Sequence, residues 1–493
     1  MSQPLTPKSI RNLGLYGVIR RVEVEDHLTP DGSVVEAMNV SFDRKGAVSV
    51  RPGLARLGTS IQAGYLIFGL HNVQNGSAIA AISQASSMRV YTFNGGSTWS
   101  SNLTSGTASA KVRFVNFADA VTAINWGVAT NGYSSMQVWS GDTDAATWTT
   151  SGNPINPQNI WSNSVFPQFG EVYKSRMYLS GDSTNPDRLF FSSVITSAGN
   201  ITWAPAADFV DINPNDGENI TGIKRYSLEL LIFKPNYIYR FRTSALDPDP
   251  LIKIGTRSHE SIVEGKRGLY FHHDTGFYRY TGGYPEEISR AISDFVDAIP
   301  YSHLDDVISW NDPDHIYWSL GDLTISETTG DVTWSNVVVR YTESSDVWTV
   351  YSYPVEIRRG IAYNSGSGLS RIVGTDNGVV ATHNSGTIDL NEPIKYRLVT
   401  RWYEGEGIAF KKVINQLIAL CEKAQDMRLM YQVDEEKEPW RDLGQLTKFI
   451  NVFDLLNIKF RRVRFKVTGV TSLEAPIFLG IEITKGVNEG ITL

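Results

Sequence analysis

The side chains that most often carry out chemistry are few and scattered in this chain. Its 493 residues include 8 histidines and one cysteine. Neither a Gly-x-x-x-x-Gly-Lys-Ser/Thr phosphate loop nor a His-Glu-x-x-His zinc helix occurs. His272 and His273 are adjacent, so in a strand they face opposite sides and cannot hold one metal ion together. We therefore predict no metal site and no cofactor.

Three pairs of adjacent carboxylates are candidates for acid–base chemistry. Paired carboxylates hydrolyse glycosidic bonds when both side chains converge on a sugar. Neighbouring side chains in a strand or turn diverge, so we interpret the pairs Asp305–Asp306, Glu286–Glu287 and Glu435–Glu436 as solvated turn charges. No catalytic residue is predicted, and we expect the chain not to be an enzyme.

One segment near the C-terminus carries a row of positive charges. Arg462, Arg464 and Lys466 alternate with apolar residues, and a period of two places all three on one face of a strand. A solvated strand face is the simpler interpretation. The alternative is a contact with an acidic neighbouring subunit or with passing DNA.

The overall charge limits the way in which DNA can be bound. The formal net charge is −7, whereas tight non-specific binding to phosphates requires a basic face. A weakly acidic wall could still surround a duplex that slides past it.

The single cysteine, Cys421, follows three apolar residues and is predicted to be a buried structural thiol, and no disulfide can form within the chain.

The elements that must position these residues are predicted to be strands. Between residues 63 and 392 a pattern of short apolar strands and polar turns repeats. One anchor per unit gives steps of 48, 52, 48, 40, 61 and 41 residues, which suit four-stranded propeller blades. The seven anchors are Val90, Val138, Phe190, Ile238, Tyr278, Val339 and Val380. The prediction is an all-β protein whose residues 61–392 form a seven-bladed β-propeller.

Several units carry a tryptophan in their closing strand. These residues are Trp99, Trp148, Trp203 and Trp348. A large flat ring fits the gap between two twisted sheets that face each other, so we expect packing between blades.

The flanks of the repeat have different patterns. Residues 1–60 are predicted to form an N-terminal arm with a hairpin from Asn39–Asp43 to Gly46–Val50. This arm could supply a strand that closes the propeller or could reach a neighbouring subunit. Residues 393–493 are predicted to form an antiparallel C-terminal domain, a β-sandwich.

Two resemblances follow from these residues. Thr92–Trp99 resembles the Asp-box turn of sialidase propellers, with Asn94 in place of the aspartate, and Ser140–Asp142 before Trp148 is a looser match. That turn is a structural hairpin, but it motivates an alternative function: a carbohydrate-binding or sialidase-like glycosidase propeller that recognises a host.

The chain as a whole resembles the propeller-type nozzle or hub proteins of short-tailed phages, which include packaged-DNA stabilisation proteins. Three segments carry this resemblance: residues 39–53 with their Arg51-Pro52-Gly53 corner, residues 219–241, and residues 274–292. The resemblance implies a virion tail protein that forms a sixfold homo-oligomeric ring below the portal and adaptor rings. It also implies a ring that lines or closes the DNA exit channel and retains the packaged genome.

The resemblance implies partners as well. They are further copies of the chain in a hexamer, the head–tail adaptor and portal proteins, tail fibres or spikes, and double-stranded DNA passing without sequence-specific binding. The first 17 residues lack the apolar stretch of a signal peptide, and no apolar run is long enough to span a bilayer. We therefore expect synthesis in the host cytoplasm.

Overall fold

The fold is known from a computed structural model of the chain, and it is all-β with only short helical turns. Within the described residues, no helix is both long and apolar enough to cross a membrane. The described residues are 3–4, 8–20, 29–43, 46–61, 63–72, 79–84, 88–93, 97–105, 111–118, 125–139, 153–195, 200–327, 330–364, 368–404, 407–424, 426–471 and 474–491.

Six short strands precede the repeat and join different parts of the molecule. Val18 forms an isolated bridge with Val34, and residues 21–28 lie outside the described ranges. The strands are β1 (Gln3–Pro4), β2 (Lys8–Ile10), β3 (Val34–Met38), β4 (Val40–Ser41), β5 (Val48–Val50) and β6 (Leu54–Arg56).

The repeat begins with two antiparallel sheets. Apolar and aromatic side chains such as Val90, Phe93 and Val138 are buried in them. Sheet I contains β7 (Leu66–Asn72), β8 (Ile79–Gln84), β9 (Met88–Phe93) and β10 (Ser100–Ser105), and sheet II contains β11 (Arg113–Ala118), β12 (Asn125–Thr130) and β13 (Gln137–Trp139).

Three four-stranded meanders follow, after the short helix α1 (Gln158–Trp161). Their second strands are buried on both faces, which explains why apolar runs such as Leu230–Phe233 do not alternate with polar residues. Sheet III contains β14 (Phe169–Tyr173), β15 (Arg176–Ser180), β16 (Arg188–Phe191) and β17 (Phe209–Asp211). Sheet IV contains β18 (Gly222–Tyr226), β19 (Glu229–Phe233), β20 (Ile238–Arg242) and β21 (Asp247–Ile252). Sheet V contains β22 (Val263–Glu264), β23 (Leu269–His273), β24 (Gly276–Tyr280) and β25 (Glu286–Glu287).

Sheets VI and VII complete the repeat. Helical turns connect sheet V to sheet VI at Arg290–Ile292, in helix α2 (Ser293–Asp297) and at Tyr301–Asp306. Sheet VI contains β26 (Ile308–Asn311), β27 (His315–Glu327), β28 (Gly330–Thr342) and β29 (Val347–Ser352). Sheet VII contains β30 (Ile357–Asn364), β31 (Leu369–Thr375) and β32 (Val380–His383).

The successive sheets form a propeller-like ring. Most neighbouring sheets contact one another through their first strands, sheets IV and V share a hydrophobic cluster, and β30 of sheet VII contacts β7 of sheet I, which closes the circle. Hydrophobic clusters fill the gaps between neighbouring sheets, for example Trp203 between sheets II and III, and Trp99 between sheets VII and I. The indole of Trp348 packs with sheet V and sheet VI residues. Trp148 lies outside the described residues.

The predicted count of seven four-stranded blades is wrong for the described chain. Five blades of four consecutive strands are present, namely sheets I, III, IV, V and VI, whereas sheets II and VII each have three consecutive strands. The repeat in the sequence identifies the apolar strands of each unit. It does not show which part of the chain supplies the fourth strand of a blade. In sheet VII that position is taken by β6, which pairs with β32 although more than 300 residues separate them.

The last strands build two further sheets. They are β33 (Ile388–Asp389), β34 (Glu392–Pro393), β35 (Lys395–Thr400), β36 (Phe410–Glu422), β37 (Met427–Val433), β38 (Arg441–Leu446), β39 (Ile450–Phe460), β40 (Val463–Val470) and β41 (Ile477–Ile491). One sheet has the order β39-β36-β41-β5-β4, and β1 and β2 also pair with β41. The other continues sheet VI, in the order β26-β27-β28-β29-β3-β35-β40-β37-β38.

The N-terminal residues are therefore divided between the two parts of the molecule. Strands β1 to β5 join the C-terminal sheets, while β6 joins the ring. The predicted hairpin is present as the β4–β5 pair, and its Arg44–Lys45 turn lies outside the described ranges. Buried side chains of the C-terminal sheets and of sheets V and VI form one hydrophobic cluster.

Arg51 holds this junction together. Its side chain is fully buried and donates to both carboxylate oxygens of Asp389, at 2.9 and 2.5 Å, and to Asn39 Oδ1 at 2.8 Å. The guanidinium also lies 3.9 Å from the ring centre of Tyr353. A Cβ on the nearby Gly53 would lie 2.0 Å from the carbonyl oxygen of Ile388, so the corner requires glycine there.

Candidate functional site

A polar pocket lies at one end of the ring axis. In an antiparallel meander, the segment that leads into the first strand and the turn between the second and third strands lie at the same end of the sheet. Because the first strands line the axis, these loops from several sheets surround one opening. The pocket there has a volume of about 420 Å³, and its lining includes Lys111, Arg113, Phe169, His259 and Glu260.

Three charged side chains from separate sheets meet at this pocket. Arg113 of sheet II donates from Nε and Nη2 to the two oxygens of Glu260, at 2.6 and 3.2 Å. Arg359 of sheet VII donates from Nη2 to Glu260 Oε1 at 3.1 Å and from Nε to the carbonyl of Phe68 at 2.6 Å. Glu260 precedes sheet V, so the three residues bridge the axis. Each side chain is at most 12% exposed.

The environment of these groups is positively charged and poorly solvated. Burial lowers the pKa of Arg113 to about 9, so it stays protonated at neutral pH. Burial and the nearby Arg113 hold the pKa of Arg359 well below its ordinary value. Burial, with the cations Arg113, Lys224 and Arg359, lowers the pKa of His259 far enough to keep its imidazole neutral.

The neighbouring acidic groups are already engaged. Asp182 accepts hydrogen bonds from the backbone of Phe166 and from two nitrogens of Asn185, at 3.0 to 3.1 Å. Asp306 binds the ammonium of Lys111 at 2.7 Å, and the carbonyl of Asp305 accepts from the same ammonium at 2.6 Å.

Several of the adjacent carboxylates predicted as solvated turn charges are partly exposed and also bind cations. Glu286 pairs with Arg279 at 2.7 Å, and Glu287 pairs with Arg290 at 3.2 Å. Glu436 contacts Arg464 at 3.2 Å. Glu286 and Glu287 bind different arginines, so these two carboxylates do not converge on one point.

The basic segment Arg462, Arg464 and Lys466 is covered by two tryptophans. Strand β40 lies inside the nine-stranded sheet and buries Val463, Phe465 and Val467 in the hydrophobic cluster. On the opposite face the guanidiniums of Arg462 and Arg464 lie 4.6 and 4.5 Å from the ring of Trp402. Arg464 and Lys466 lie 5.3 and 4.3 Å from the ring of Trp440.

Two of these cations, Arg462 and Arg464, also have polar partners. Arg464 Nε donates to Gln432 Oε1 at 2.7 Å, and Arg462 Nε donates to the carbonyl of Asp434 at 2.6 Å. Burial lowers the pKa of Lys466, with a further contribution from Arg397. The segment can stabilise the sheet by cation–π contacts, and only part of its charge is accessible to an acidic partner.

The remaining reactive side chains serve packing. Burial lowers the pKa of His272 to about 3, while His273 Nδ1 lies 2.8 Å from Thr275 Oγ1. Cys421 is buried, its thiol contacts the carbonyl of Lys448 at 3.2 Å, and burial raises its pKa. Among the described residues no three His, Cys, Asp or Glu side chains are placed to hold a metal ion. The Asn94–Gly96 and Ser140–Asp142 turns lie outside the described ranges.

Sequence reasoning did not predict the charged group on the axis. Arg113 and Glu260 are 147 positions apart, and Glu260 and Arg359 are 99 apart, so no local spacing connects them. Trp402 and Trp440 were also missed, because neither lies in the strand whose charges they cover.

Comparisons with known proteins give only a distant structural likeness. No family model and no curated protein matches the sequence. One similar solved structure is the extracellular domain of a protein named as a one component system in B. thetaiotaomicron, with TM-score 0.39, 10% identity, and coverage of 67% of this chain and 40% of that chain. Another is Chaetomium thermophilum Raptor, with TM-score 0.42, 10% identity, and coverage of 67% and 29%. This chain therefore aligns with less than half the length of either protein.

Proposed function

We propose that this chain is a structural subunit of a phage tail and not an enzyme. In this proposal it forms the nozzle or hub ring, a homohexamer below the portal–adaptor complex, within the virion. The ring lines or closes the DNA exit channel and helps retain packaged DNA. The adaptor, the portal, and tail fibres or spikes are its neighbours.

The observation that carries this proposal is the nine-stranded sheet. It runs from sheet VI of the ring through β3 and β35 to β38, so backbone hydrogen bonds couple the ring to the C-terminal strands. Arg51 adds a buried ion pair at the same junction. A subunit that must transmit load between neighbours needs such a rigid connection, whereas a catalytic propeller needs only its ring.

The charges also favour a structural role. The polar groups at the axis bind one another, and Asp182 and Glu260 each already accept several hydrogen bonds. This pairing gives less support to the alternative, a sialidase-like glycosidase, because hydrolysis needs carboxyl groups free to exchange protons. A net charge of −7 suits a wall along which DNA slides.

The residues predicted to form a C-terminal β-sandwich are proposed to supply the contact between subunits. Strand β39 lies at the edge of its sheet, and Phe449, Ile450 and Val452 are 56%, 53% and 52% exposed there. An apolar edge strand of this length pairs readily with another chain. In a closed ring each copy would present this edge to a different surface of the next copy.

Electron microscopy with mass determination by light scattering tests the proposal. The purified protein, or tails isolated from virions, should show sixfold rings at the portal axis. Val452→Lys on the edge strand should shift the assembly to monomers. The matched control, Leu228→Lys, changes an apolar side chain that is 82% exposed in the turn between β18 and β19, and it should leave the rings intact. A protein that is monomeric at every concentration and absent from the tail axis would contradict the proposal.

A further inference from the structure

A histidine connects the β4–β5 hairpin to the ring. His315 is the first residue of β27, and its Nδ1 lies 2.7 and 2.9 Å from the two carboxylate oxygens of Asp312. Its other ring nitrogen, Nε2, lies 3.2 Å from Oδ1 of Asp43. Asp312 belongs to the turn between β26 and β27 of sheet VI, whereas Asp43 follows β4 of the hairpin. The imidazole therefore bridges two carboxylates from distant parts of the chain.

Both carboxylates beside His315 are held in their ionised form. Arg340 donates from Nη1 and Nη2 to the two oxygens of Asp43, at 2.9 and 2.8 Å. Asp312 accepts from the hydroxyl of Tyr317 at 2.7 Å and from two backbone N–H groups at 3.0 Å. Burial would raise the pKa of each carboxyl group, but the hydrogen bond from His315, with these other donors, lowers both pKa values well below their usual range.

The two ionised carboxylates favour one protonation state of the imidazole. A neutral imidazole has one N–H donor and one lone pair, so one of its nitrogens would face a carboxylate with no proton between them. The imidazolium donates from both nitrogens, to Asp312 and to Asp43. With this proton, His315 and Arg340 balance the two negative charges. Without it, one negative charge of the group is unmatched.

The other charged and titratable groups nearby act in both directions. Burial disfavours the charge of His315, but the hydrogen bonds to Asp312 and Asp43 outweigh burial, so the pKa of His315 rises above its ordinary value. The cation Arg340 opposes this rise. His383 is neutral, because burial lowers its pKa to about 3. The remaining charged or titratable groups around the cluster, on the β26–β27 turn and on β27, β29 and β31, are Asp314, Tyr317, Tyr351 and Arg371.

The hairpin that His315 contacts is also part of the C-terminal sheets. Strand β5 pairs with β41, and the buried Arg51 follows β5 directly. We propose that His315 is a pH-sensitive clasp, which holds the β4–β5 hairpin on sheet VI while its imidazole is protonated and loosens the hairpin when the proton is lost. Arg340 keeps its two-point contact with Asp43 in both states, so the hairpin is loosened and not released.

The direction of the pH effect follows from the raised pKa of His315. The stabilisation is complete below the ordinary histidine pKa of about 6.5, and it is lost as pH rises through the higher pKa of the folded protein. The ring and the C-terminal strands are therefore coupled most tightly in mild acid. The clasp goes beyond the proposed tail function and does not depend on it, because all of its contacts lie within one chain.

Hydrogen–deuterium exchange of the full-length protein, read by mass spectrometry over residues 39–50, tests the clasp. After correction for the intrinsic effect of pH, exchange of the hairpin should become about tenfold faster from pH 6 to pH 9, the loss of one charge-assisted hydrogen bond. His315→Gln should remove this dependence on pH. The matched control, His303→Gln, changes an exposed imidazole of the turn at residues 301–306 and should retain the dependence.

A second measurement needs no variant that could fail to fold. Deuterium exchange at the carbon between the two ring nitrogens reports the pKa of His315 in the unchanged protein, and this pKa should lie above about 6.5. Asp43→Asn should lower it. A His315 pKa at or below 6.5, hairpin exchange that does not respond to pH, or a full response in His315→Gln would each overturn the proposal. Loss of the response in His303→Gln would also overturn it.

Discussion

The axis of the ring and the basic segment of strand β40 both concentrate arginines, yet they balance the charge differently. On the axis, Arg113 and Arg359 depend on one carboxylate, that of Glu260. In the segment, Arg462, Arg464 and Lys466 are covered by indole rings and use several weaker polar partners. The axial charges lose their only shared carboxylate when one residue is replaced, whereas the charges of the segment keep other partners after any one replacement.

The largest expected effect is on the axis. Glu260→Gln leaves two buried guanidiniums without a carboxylate, so the free energy of unfolding should fall by about 3–5 kcal/mol. Glu436→Gln removes the partly exposed partner of Arg464 and should cost less than about 1 kcal/mol. Urea denaturation of both variants measures the difference. Equal losses would show that the two regions do not differ as described.

A smaller effect is expected from the tryptophan cover. Trp440→Ala removes the ring that lies over Arg464 and Lys466, and stability should fall by about 1–2 kcal/mol. Trp440→Phe keeps an aromatic face and should recover part of the loss. The same urea experiment measures both. If phenylalanine recovered nothing, the contact would depend on the indole size alone and not on its interaction with the cations.

Acid should distinguish the two regions further. His259 has a lowered pKa in the folded protein, so its stabilising effect is complete above the unfolded pKa of about 6.5 and is lost as pH falls below it. The expected slope is about 1.4 kcal/mol per pH unit for this one group. His259→Asn should flatten the decline between pH 6.5 and 5, as measured by denaturation at each pH. Trp440→Phe changes a ring that lies over Arg464 and Lys466 and not beside His259, so it should leave the slope unchanged.

The smallest effect is expected on DNA. Replacing Arg462 and Lys466 together with glutamine should leave the affinity for a duplex, measured by fluorescence anisotropy, within about twofold of the original. The reason is that both charges are partly covered and the net charge is −7. A clear loss of affinity with a reduced salt dependence would instead establish the DNA contact considered from the sequence.

Local patterns predicted the strands well, and long-range pairings poorly. Period and apolar content placed the hairpin of β4 and β5, because each of its strands is defined by its own residues. The sequence also placed Arg462, Arg464 and Lys466 on one face. It could not place Arg113 beside Glu260 and Arg359, since that contact depends on how the sheets are arranged around the axis. The same limit hid the fourth strand of sheet VII, because β6 reaches that sheet from the other end of the repeat.

The pairing of β6 with β32 has a consequence for synthesis. The strand at residues 54–56 is made before any sheet of the ring, and its partner at residues 380–383 is made after all the others. Asp389, the partner of Arg51, emerges later still. Nearly four-fifths of the polypeptide must therefore be synthesised before β6 can pair with β32 and complete sheet VII. Until Asp389 has also been synthesised, Arg51 cannot form its buried ion pair.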